Sequence, residues 1–329
     1  MPKRLAIVFA IVLAVSAAAR ASNNGPQKKS GEDSSTERYL DEECQQMQRY
    51  SMTDFSVRLI AQEEKRLSRS DVDVLNVEGS RNGGVSIKGW NQPDILIKAC
   101  KLAGADTKEE AQALLDQLTI STDNGKVRSA SPAKSASGRQ SWVVQFRIYV
   151  PRDLAVEAAV YNGGLALNDL VGKINGRSQN GGISFNKGGG GMDAAELYAV
   201  NGGISLNDVE GKINARTANG GISFSGGKGE IKLNSQNGGI TIRLTEGQWM
   251  GETLQAHSDN GGLTLEVPQG FASGIEAESS SHAGLECRLA ECNQGQRDPD
   301  ESRKRVQIGG SPVVHVSTRN GNLRIVPSR

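Results

Sequence analysis

Two aspartates occupy equivalent positions in two similar stretches of this sequence, residues 161–175 and 200–214. Asp169 and Asp208 each follow Asn and precede a nearby Gly, at the same position of a duplicated unit. Two carboxylates that face each other across a sugar can cleave a glycosidic bond. A catalytic pair should not recur in register, however, whereas Asn-Asp is typical of turns. We therefore interpret both aspartates as turn residues and expect no catalytic residues.

The sequence contains no complete motif for a nucleophilic serine, a phosphate-binding loop or a metal site. Ser205 lies in Gly-Ile-Ser-Leu-Asn, which lacks the final Gly of a nucleophile elbow. The glycine runs at 188–191 and 226–229 lack the following Lys-Ser or Lys-Thr of a phosphate loop, and no Asp repeat typical of calcium solenoids is present. The histidines lack metal-ligand spacing: His257, His282 and His315. The sequence thus predicts no enzyme, no cofactor and no metal site.

A repeated triplet defines the elements that would position any site. Asn-Gly-Gly returns at intervals of 18 to 23 residues, and each copy opens a short run of alternating apolar residues. Apolar residues at i and i+2 share one face of a strand. Asn and Gly tolerate left-handed backbone angles, so we interpret the triplets as corners. The corner asparagines are Asn162, Asn180, Asn201, Asn219, Asn237 and Asn260.

A fixed period near 20 residues is typical of repeat architectures. We therefore predict an all-β fold, a single-stranded-coil β-solenoid resembling a β-helix, with one short capping helix. Residues 161–175 and 200–214 echo each other, which makes the duplicated unit two coils. An array of hairpins is the alternative, because Asn-Gly is also a hairpin signal. In the solenoid, one internal column should contain Ile183, Ile204, Ile222 and Ile240.

The N-terminal residues are typical of an exported protein. Residues 1–21 have a basic start, an apolar core and Ala19-Arg20-Ala21 before Ser22, which predicts a cleaved signal peptide. An uncleaved anchor is the alternative. Residues 22–50 are polar without apolar periodicity, which predicts a disordered linker that can include one short helix. No later stretch is apolar enough to cross a membrane.

The rest of the chain divides into two parts. Residues 51–160 are predicted to form an N-terminal β part. Within it, a capping box of Thr107 and Glu110 predicts a helix over 107–118 that covers an open sheet edge. Residues 161–329 contain the regular repeats and a C-terminal cap.

Charge and cysteine content restrict the partners and the compartment. Lys and Arg total 38 against 37 Asp and Glu, so a net charge of +1 gives no long-range attraction to nucleic acid or an anionic membrane. Four cysteines fit an oxidising compartment. We predict disulfides Cys287–Cys292 and Cys44–Cys100. A metal site that combines cysteines with His282 is the alternative, without the usual Cys-x-x-Cys spacing.

The outward strand positions offer a surface rather than a pocket. A ladder of hydroxyls should run down one face: Ser184, Ser205, Ser223, Thr241 and Thr264. Such a ladder can bind a regular polymer such as a glycan, or it can merely solvate the face. The tryptophans can stack on sugars or pack inside: Trp90, Trp142 and Trp249.

Several motifs together resemble a known family. Asn82-Gly83-Gly84-Val85-Ser86-Ile87, the strand that ends at Tyr149-Val150-Pro151, and the run of triplets are similar to the bacterial putative-adhesin family of β-solenoid domains. The resemblance covers about residues 55–327 and implies an exported, envelope-associated protein. The family has no assigned function, so no functional residues are carried over. The helix at 107–118 and the insertion at 287–305 depart from its pattern.

We therefore expect an exported, non-enzymatic module that binds a glycan or another cell-envelope component, or acts as a scaffold there. The periplasm, the cell surface and the medium are all open as its location. One alternative is a polysaccharide-active enzyme on a β-helix, in which carboxylates and a Lys or Arg converge in one groove. Another is a partner of an envelope-stress sensor, which would co-purify with a membrane protein.

Overall fold

The computed structural model describes residues 44, 45, 47, 55–130, 132, 139–280, 282–293, 296–297 and 303–328. The predicted signal peptide, residues 1–21, lies outside the described residues, as does nearly all of the predicted linker, residues 22–50. In that linker Cys44, Gln45 and Met47 are described, and they are helical.

Strands make up most of the described residues, which confirms the prediction of an all-β fold. The N-terminal strands are β1 (Val57–Ser68), β2 (Val74–Glu78), β3 (Val85–Trp90), β4 (Asp94–Ala105), β5 (Ile120–Ser121), β6 (Lys126–Ser129), β7 (Ser141–Pro151), β8 (Ala155–Asn162) and β9 (Leu165–Asn168). The middle strands are β10 (Ile174–Asn180), β11 (Ile183–Asn186), β12 (Gly189–Asn201), β13 (Ile204–Asn219), β14 (Ile222–Asn237) and β15 (Ile240–Arg243). The C-terminal strands are β16 (Thr253–Ser258), β17 (Leu263–Val267), β18 (Gly274–Ser280), β19 (Leu285–Cys287), β20 (Gln296–Arg297), β21 (Arg303–Ile308), β22 (Pro312–Thr318) and β23 (Leu323–Pro327).

The repeats pair in two columns of parallel strands. Column A contains, in spatial order, β6, β2, β8, β10, β12, the second half of β13, the second half of β14, β16, β22 and β18. Column B contains β7, β3, β9, β11, the first halves of β13 and β14, β15, β17, β23 and β19. Each Asn-Gly-Gly triplet leads from a column A strand to the following column B strand. Hairpin partners are antiparallel, so a hairpin array does not describe these strands.

The apolar side chains inside the repeats lie in register. Ile183 pairs with Ile204, Ile204 with Ile222, and Ile222 with Ile240, and each is at most 2% exposed. Their spacing of two along the strand places Phe185, Leu206, Phe224 and Ile242 in a second buried row. The core of the repeats is therefore formed by alternate residues along these strands.

The spatial order of strands departs from the chain order at both ends. β3 lies between β9 and β7, although three other strands, β4, β5 and β6, and a helix separate β3 from β7 in the chain. At the other end, β22 lies between β16 and β18, and β23 lies between β17 and β19. The insertion after β17 thus forms the outermost strands, and the last strands of the chain fill the space that it leaves.

One α-helix with defined bounds lies among the described residues, α1 (Lys108–Gln117). Thr107 caps it, because its hydroxyl accepts from the Glu110 backbone N–H while the Glu110 side chain accepts from the Thr107 N–H. Ala111, Leu114 and Leu115 are buried, and the helix packs against β1 and β4. These two strands extend column B beyond β7 in antiparallel pairing. The helix therefore covers the end of the sheet.

Candidate binding surface

The six predicted corner asparagines form part of a continuous side-chain ladder. In each coil the Asn Nδ2 donates to the Oδ1 of the Asn in the preceding coil, over 2.9–3.1 Å. The ladder contains Asn82, Asn162, Asn180, Asn201, Asn219, Asn237, Asn260 and Asn320. It begins at Asn82, in a triplet far from the six regular copies, and ends at Asn320, which is followed by Gly321 and Asn322.

The first Gly of each triplet is required by close contact between backbones. A Cβ on Gly220 would lie 2.2 Å from the carbonyl oxygen of Gly202, and Gly202 and Gly238 meet the same obstruction. The triplet asparagines themselves do not have left-handed backbone angles. Among the described residues, the left-handed non-glycine residues in the repeats lie at the opposite corner: Asp169, Lys187 and Asp208, with φ of +56°, +50° and +51°.

Buried hydroxyls stabilise the same corner, and the sequence analysis missed them. Thr217 Oγ1 donates to the Gly202 carbonyl over 2.8 Å, and Ser235 Oγ contacts the carbonyls of Gly220 and Gly238 over 2.9 and 2.8 Å. Equivalent bonds come from Ser178, Ser258 and Thr318. Each stands two residues before a triplet Asn, which is the sequence signal that could have identified them.

The predicted hydroxyl ladder lies on the outward face of column B. Ser184 pairs with Ser205, Ser205 with Ser223, Ser223 with Thr241 and Thr241 with Thr264. All five side chains are half-buried or exposed. Short side chains in register give this row of column B a polar surface.

The outward face of column A contains larger and charged side chains. Tyr161 and Tyr198 are 51% and 43% exposed. Neither tyrosine was predicted from the sequence to belong to a site. Trp142 and Trp249 are buried instead, and Trp90 is half-buried with its Nε1 donating to the Asp94 carbonyl over 2.9 Å. For Trp142 and Trp249, the alternative of inside packing is the one that the structure shows.

The two aspartates considered for catalysis, Asp169 and Asp208, lie in coils that are not adjacent. Asp169 and Asp208 belong to one corner, but Lys187 lies in the coil between them, as the bonds from Asn186 to Asn168 and from Asn207 to Asn186 show. Asp259 lies beside the triplet corner, 3.3 Å from Arg319.

Asp208 shares a cleft of about 650 Å³ with other charged groups. Glu210, Glu246 and Lys228 also line this cleft, and Lys228 Nζ lies 3.2 Å from Glu210 Oε1. Carboxylates and a lysine therefore line one cleft, as the enzyme alternative requires.

A Ser–His–Asp arrangement lies on the outward face of column A. His257 Nδ1 is 2.8 Å from Ser317 Oγ, and His257 Nε2 is 3.4 Å from Asp259 Oδ1. Such a chain can activate a serine in hydrolases that also supply donors to an oxyanion. β22, which carries Ser317, is flanked by β16 and β18, so its backbone N–H groups belong to the sheet. The arrangement therefore lacks the backbone donors that acyl transfer uses at the nucleophile.

The four cysteines form the two expected pairs. Cys44 and Cys100 have a Cα–Cα distance of 5.5 Å, and Cys287 and Cys292 one of 6.0 Å. Disulfide bonding occupies all four sulfurs, which removes them as ligands of the alternative metal site with His282. Within the described residues, no group of three or more His, Cys, Asp or Glu side chains could hold a metal ion.

Two charge clusters on the surface shift pKa values. The Lys232 ammonium, 2.6 Å from Glu230, and the Lys212 ammonium, 3.4 Å away, hold the pKa of the Glu230 carboxyl below its ordinary value. A hydrogen bond to Glu266 raises the pKa of Arg243. Both clusters link neighbouring coils across the outward faces.

Comparison with known proteins identifies no family for this chain. No family model matches the chain, and no curated protein matches it. A solved structure described as a "putative cell adhesion protein" from Clostridium sporogenes is 10% identical, with 82% of this chain and 100% of that chain covered and a TM-score of 0.24. Another, described as a "putative lipid binding protein" from Parabacteroides distasonis, is 10% identical, with 80% and 96% covered and a TM-score of 0.41. TM-scores this low carry no argument about fold or function.

In the part of the chain that the structure describes, no helix has the length and apolar character needed to cross a bilayer.

Proposed function

We propose that the chain is an exported β-solenoid that binds a glycan or another repeating component of the cell envelope and catalyses no reaction. The observation that carries this proposal is the register between coils. Ser184, Ser205, Ser223, Thr241 and Thr264 present equivalent outward positions at successive strands. Parallel strands lie about 4.8 Å apart, so the surface repeats on the scale of a sugar unit.

Two further features support an exported binding module. The two disulfides fit an oxidising compartment, and residues 1–21 have the sequence of a signal peptide. The Asn ladder and the buried hydroxyls fix the coils against each other. A rigid surface loses little conformational entropy when it binds a polymer.

A glycan array probed with the mature chain tests this proposal, followed by titration with fragments of increasing length. We expect binding to at least one envelope polymer, with affinity that rises with fragment length because more coils engage at once. Absence of binding to every glycan and to intact cell-wall preparations would contradict it.

A polysaccharide-active enzyme is the second candidate function, and the cleft at Asp208 favours it. Asp208, Glu210 and Glu246 supply carboxylates, and Lys228 supplies a cation beside them. The non-enzymatic proposal predicts no new reducing ends when the chain is incubated with a polysaccharide panel. Product that disappears in both Asp208→Asn and Glu210→Gln would instead support the enzyme.

A further inference from the structure

Three residues on adjacent strands of column A form what we call the Arg–Tyr stripe: Arg177, Tyr198 and Arg216. Arg177 of β10 pairs in register with Tyr198 of β12, and Tyr198 pairs with Arg216 of β13. All three side chains are exposed, with Tyr198 at 43%. The stripe therefore presents a ring between two guanidinium groups on one outward face.

The two guanidinium groups are held in place without being neutralised. Arg177 Nε donates to Asn175 Oδ1 over 3.4 Å, and Arg216 Nε donates to Asn214 Oδ1 over 3.2 Å. Neither arginine takes part in an ion pair among the described residues, although Arg66, Arg128, Arg243 and Arg288 all do. Among the described residues, the terminal nitrogens of these two arginines therefore form no ion pair with a carboxylate of the chain.

The carboxylate nearest to the stripe along the chain is already engaged. Glu196 stands two residues before Tyr198 on the same strand, and its Oε2 accepts from Asn214 Nδ2 over 2.9 Å. Asn214 in turn positions Arg216, so the polar row beside the stripe orients the arginines. On the neighbouring strand β8, the register partner of Arg177 is Ala159, and Tyr161, 51% exposed, lies two residues further along that strand.

We infer that the Arg–Tyr stripe binds a linear polysaccharide of carboxylate-bearing sugars, an inference that rests on the proposed binding function. A sugar ring packs its apolar face on Tyr198, and carboxylates on either side accept hydrogen bonds from Arg177 and Arg216. Arginine suits this role because its planar fork matches a carboxylate. The two arginines lie two strand spacings apart, about 10 Å, which lets the chain run across the coils.

Charge argues for carboxylated sugars over a nucleic acid. Single-stranded nucleic acid also stacks on aromatic rings, but its affinity depends on a strongly basic groove. This chain has a net charge of +1, and Glu157 and Glu196 lie in the row beside the stripe. Two isolated arginines fit the lower charge density of an acidic sugar polymer.

The test is titration calorimetry of the mature chain with four probes: polygalacturonate, dextran, a single-stranded oligonucleotide and inorganic polyphosphate. We expect tightest binding to polygalacturonate, weakened by added salt because exposed charges are screened. Arg177→Gln and Arg216→Gln should each raise the Kd about threefold to tenfold. Tyr198→Ala should raise it about fivefold.

Arg152→Gln is the matched control, because Arg152 is exposed, forms no ion pair among the described residues, and lies at the corner after β7 rather than on the stripe. It should leave the Kd within about twofold, since surface charges away from the contact contribute little. Circular dichroism of each variant should match the unaltered chain, because none of these side chains is buried.

Each result separates this inference from the proposed function. Unchanged polygalacturonate binding in the stripe variants, or a preference for dextran, would overturn the stripe but leave a glycan-binding module. Stronger binding to the oligonucleotide or to polyphosphate would overturn the carboxylated-sugar assignment. Failure to bind any glycan or cell-wall preparation would remove both.

Discussion

At the residue scale, the repeat depends on two kinds of position. Some have no room for a side chain, and others have a side chain that forms hydrogen bonds at the corner. The first Gly of a triplet leaves room for the backbone of the adjacent coil. The Asn before it contributes one donor and one acceptor to the ladder. The residue two positions earlier fills the corner with a buried hydroxyl. Together these positions specify how one coil rests on the next.

Gly220→Ala tests the close approach of the backbones. The new Cβ would lie 2.2 Å from the Gly202 carbonyl oxygen, so the coils must shift. We expect a loss of about 1–3 kcal/mol in the free energy of unfolding, measured by urea denaturation. Gly247→Ala is the control, because no atom lies within 4 Å of its added Cβ. Equal effects at both positions would contradict the contact argument.

Asn219→Ala tests the ladder. Asn219 donates to Asn201 and accepts from Asn237, each over 3.0 Å. Loss of two hydrogen bonds should cost about 1–2 kcal/mol in unfolding free energy, measured by the same denaturation. Gln236→Ala, an exposed neighbour outside the ladder, should change stability by less than about 0.5 kcal/mol. Equal free energies of unfolding for the two variants would contradict a stabilising role of the ladder.

At the element scale, much of the fold follows from sequence patterns. The strand runs after each triplet and the α1 capping box are predictable because alternation and caps are local signals. The order of strands at the ends is not, because β3 and β22 are placed by contacts with strands distant in the chain. The proposed binding surface was only partly predictable. The hydroxyls of column B follow from alternation, whereas Tyr198 stands out only once its exposure is known.

We predict that the two disulfides contribute different amounts to the free energy of unfolding. Cys44–Cys100 closes a loop with a sequence separation of 56 residues, and Cys287–Cys292 one of 5. From loop-closure entropy, removal should cost about 4 kcal/mol for the long loop and about 2 kcal/mol for the short one. Urea denaturation of Cys44→Ser/Cys100→Ser and Cys287→Ser/Cys292→Ser compares them. A larger loss from the short loop would contradict this ranking.

At the scale of the whole molecule, the register of the parallel strands determines both the core and the outward faces. Parallel pairing holds equivalent residues in line from β2 to β18 in column A and from β3 to β19 in column B. The inward residues of these rows form the core, and the outward residues form the faces that we propose bind a polymer. A slip of one residue would exchange the two sets. Stability and recognition therefore depend on the same register.

Engineered cross-linking tests that register most directly. Ser205 and Ser223 are in-register partners on adjacent strands, whereas Ser205 and Thr241 are separated by the strand that carries Ser223. Adjacent strands are about 4.8 Å apart, within the Cα range that a disulfide spans. We predict that Ser205→Cys/Ser223→Cys forms a disulfide under mild oxidation, seen by peptide mass spectrometry, and that Ser205→Cys/Thr241→Cys does not. Cross-linking of the second pair but not the first would contradict the parallel, in-register stack.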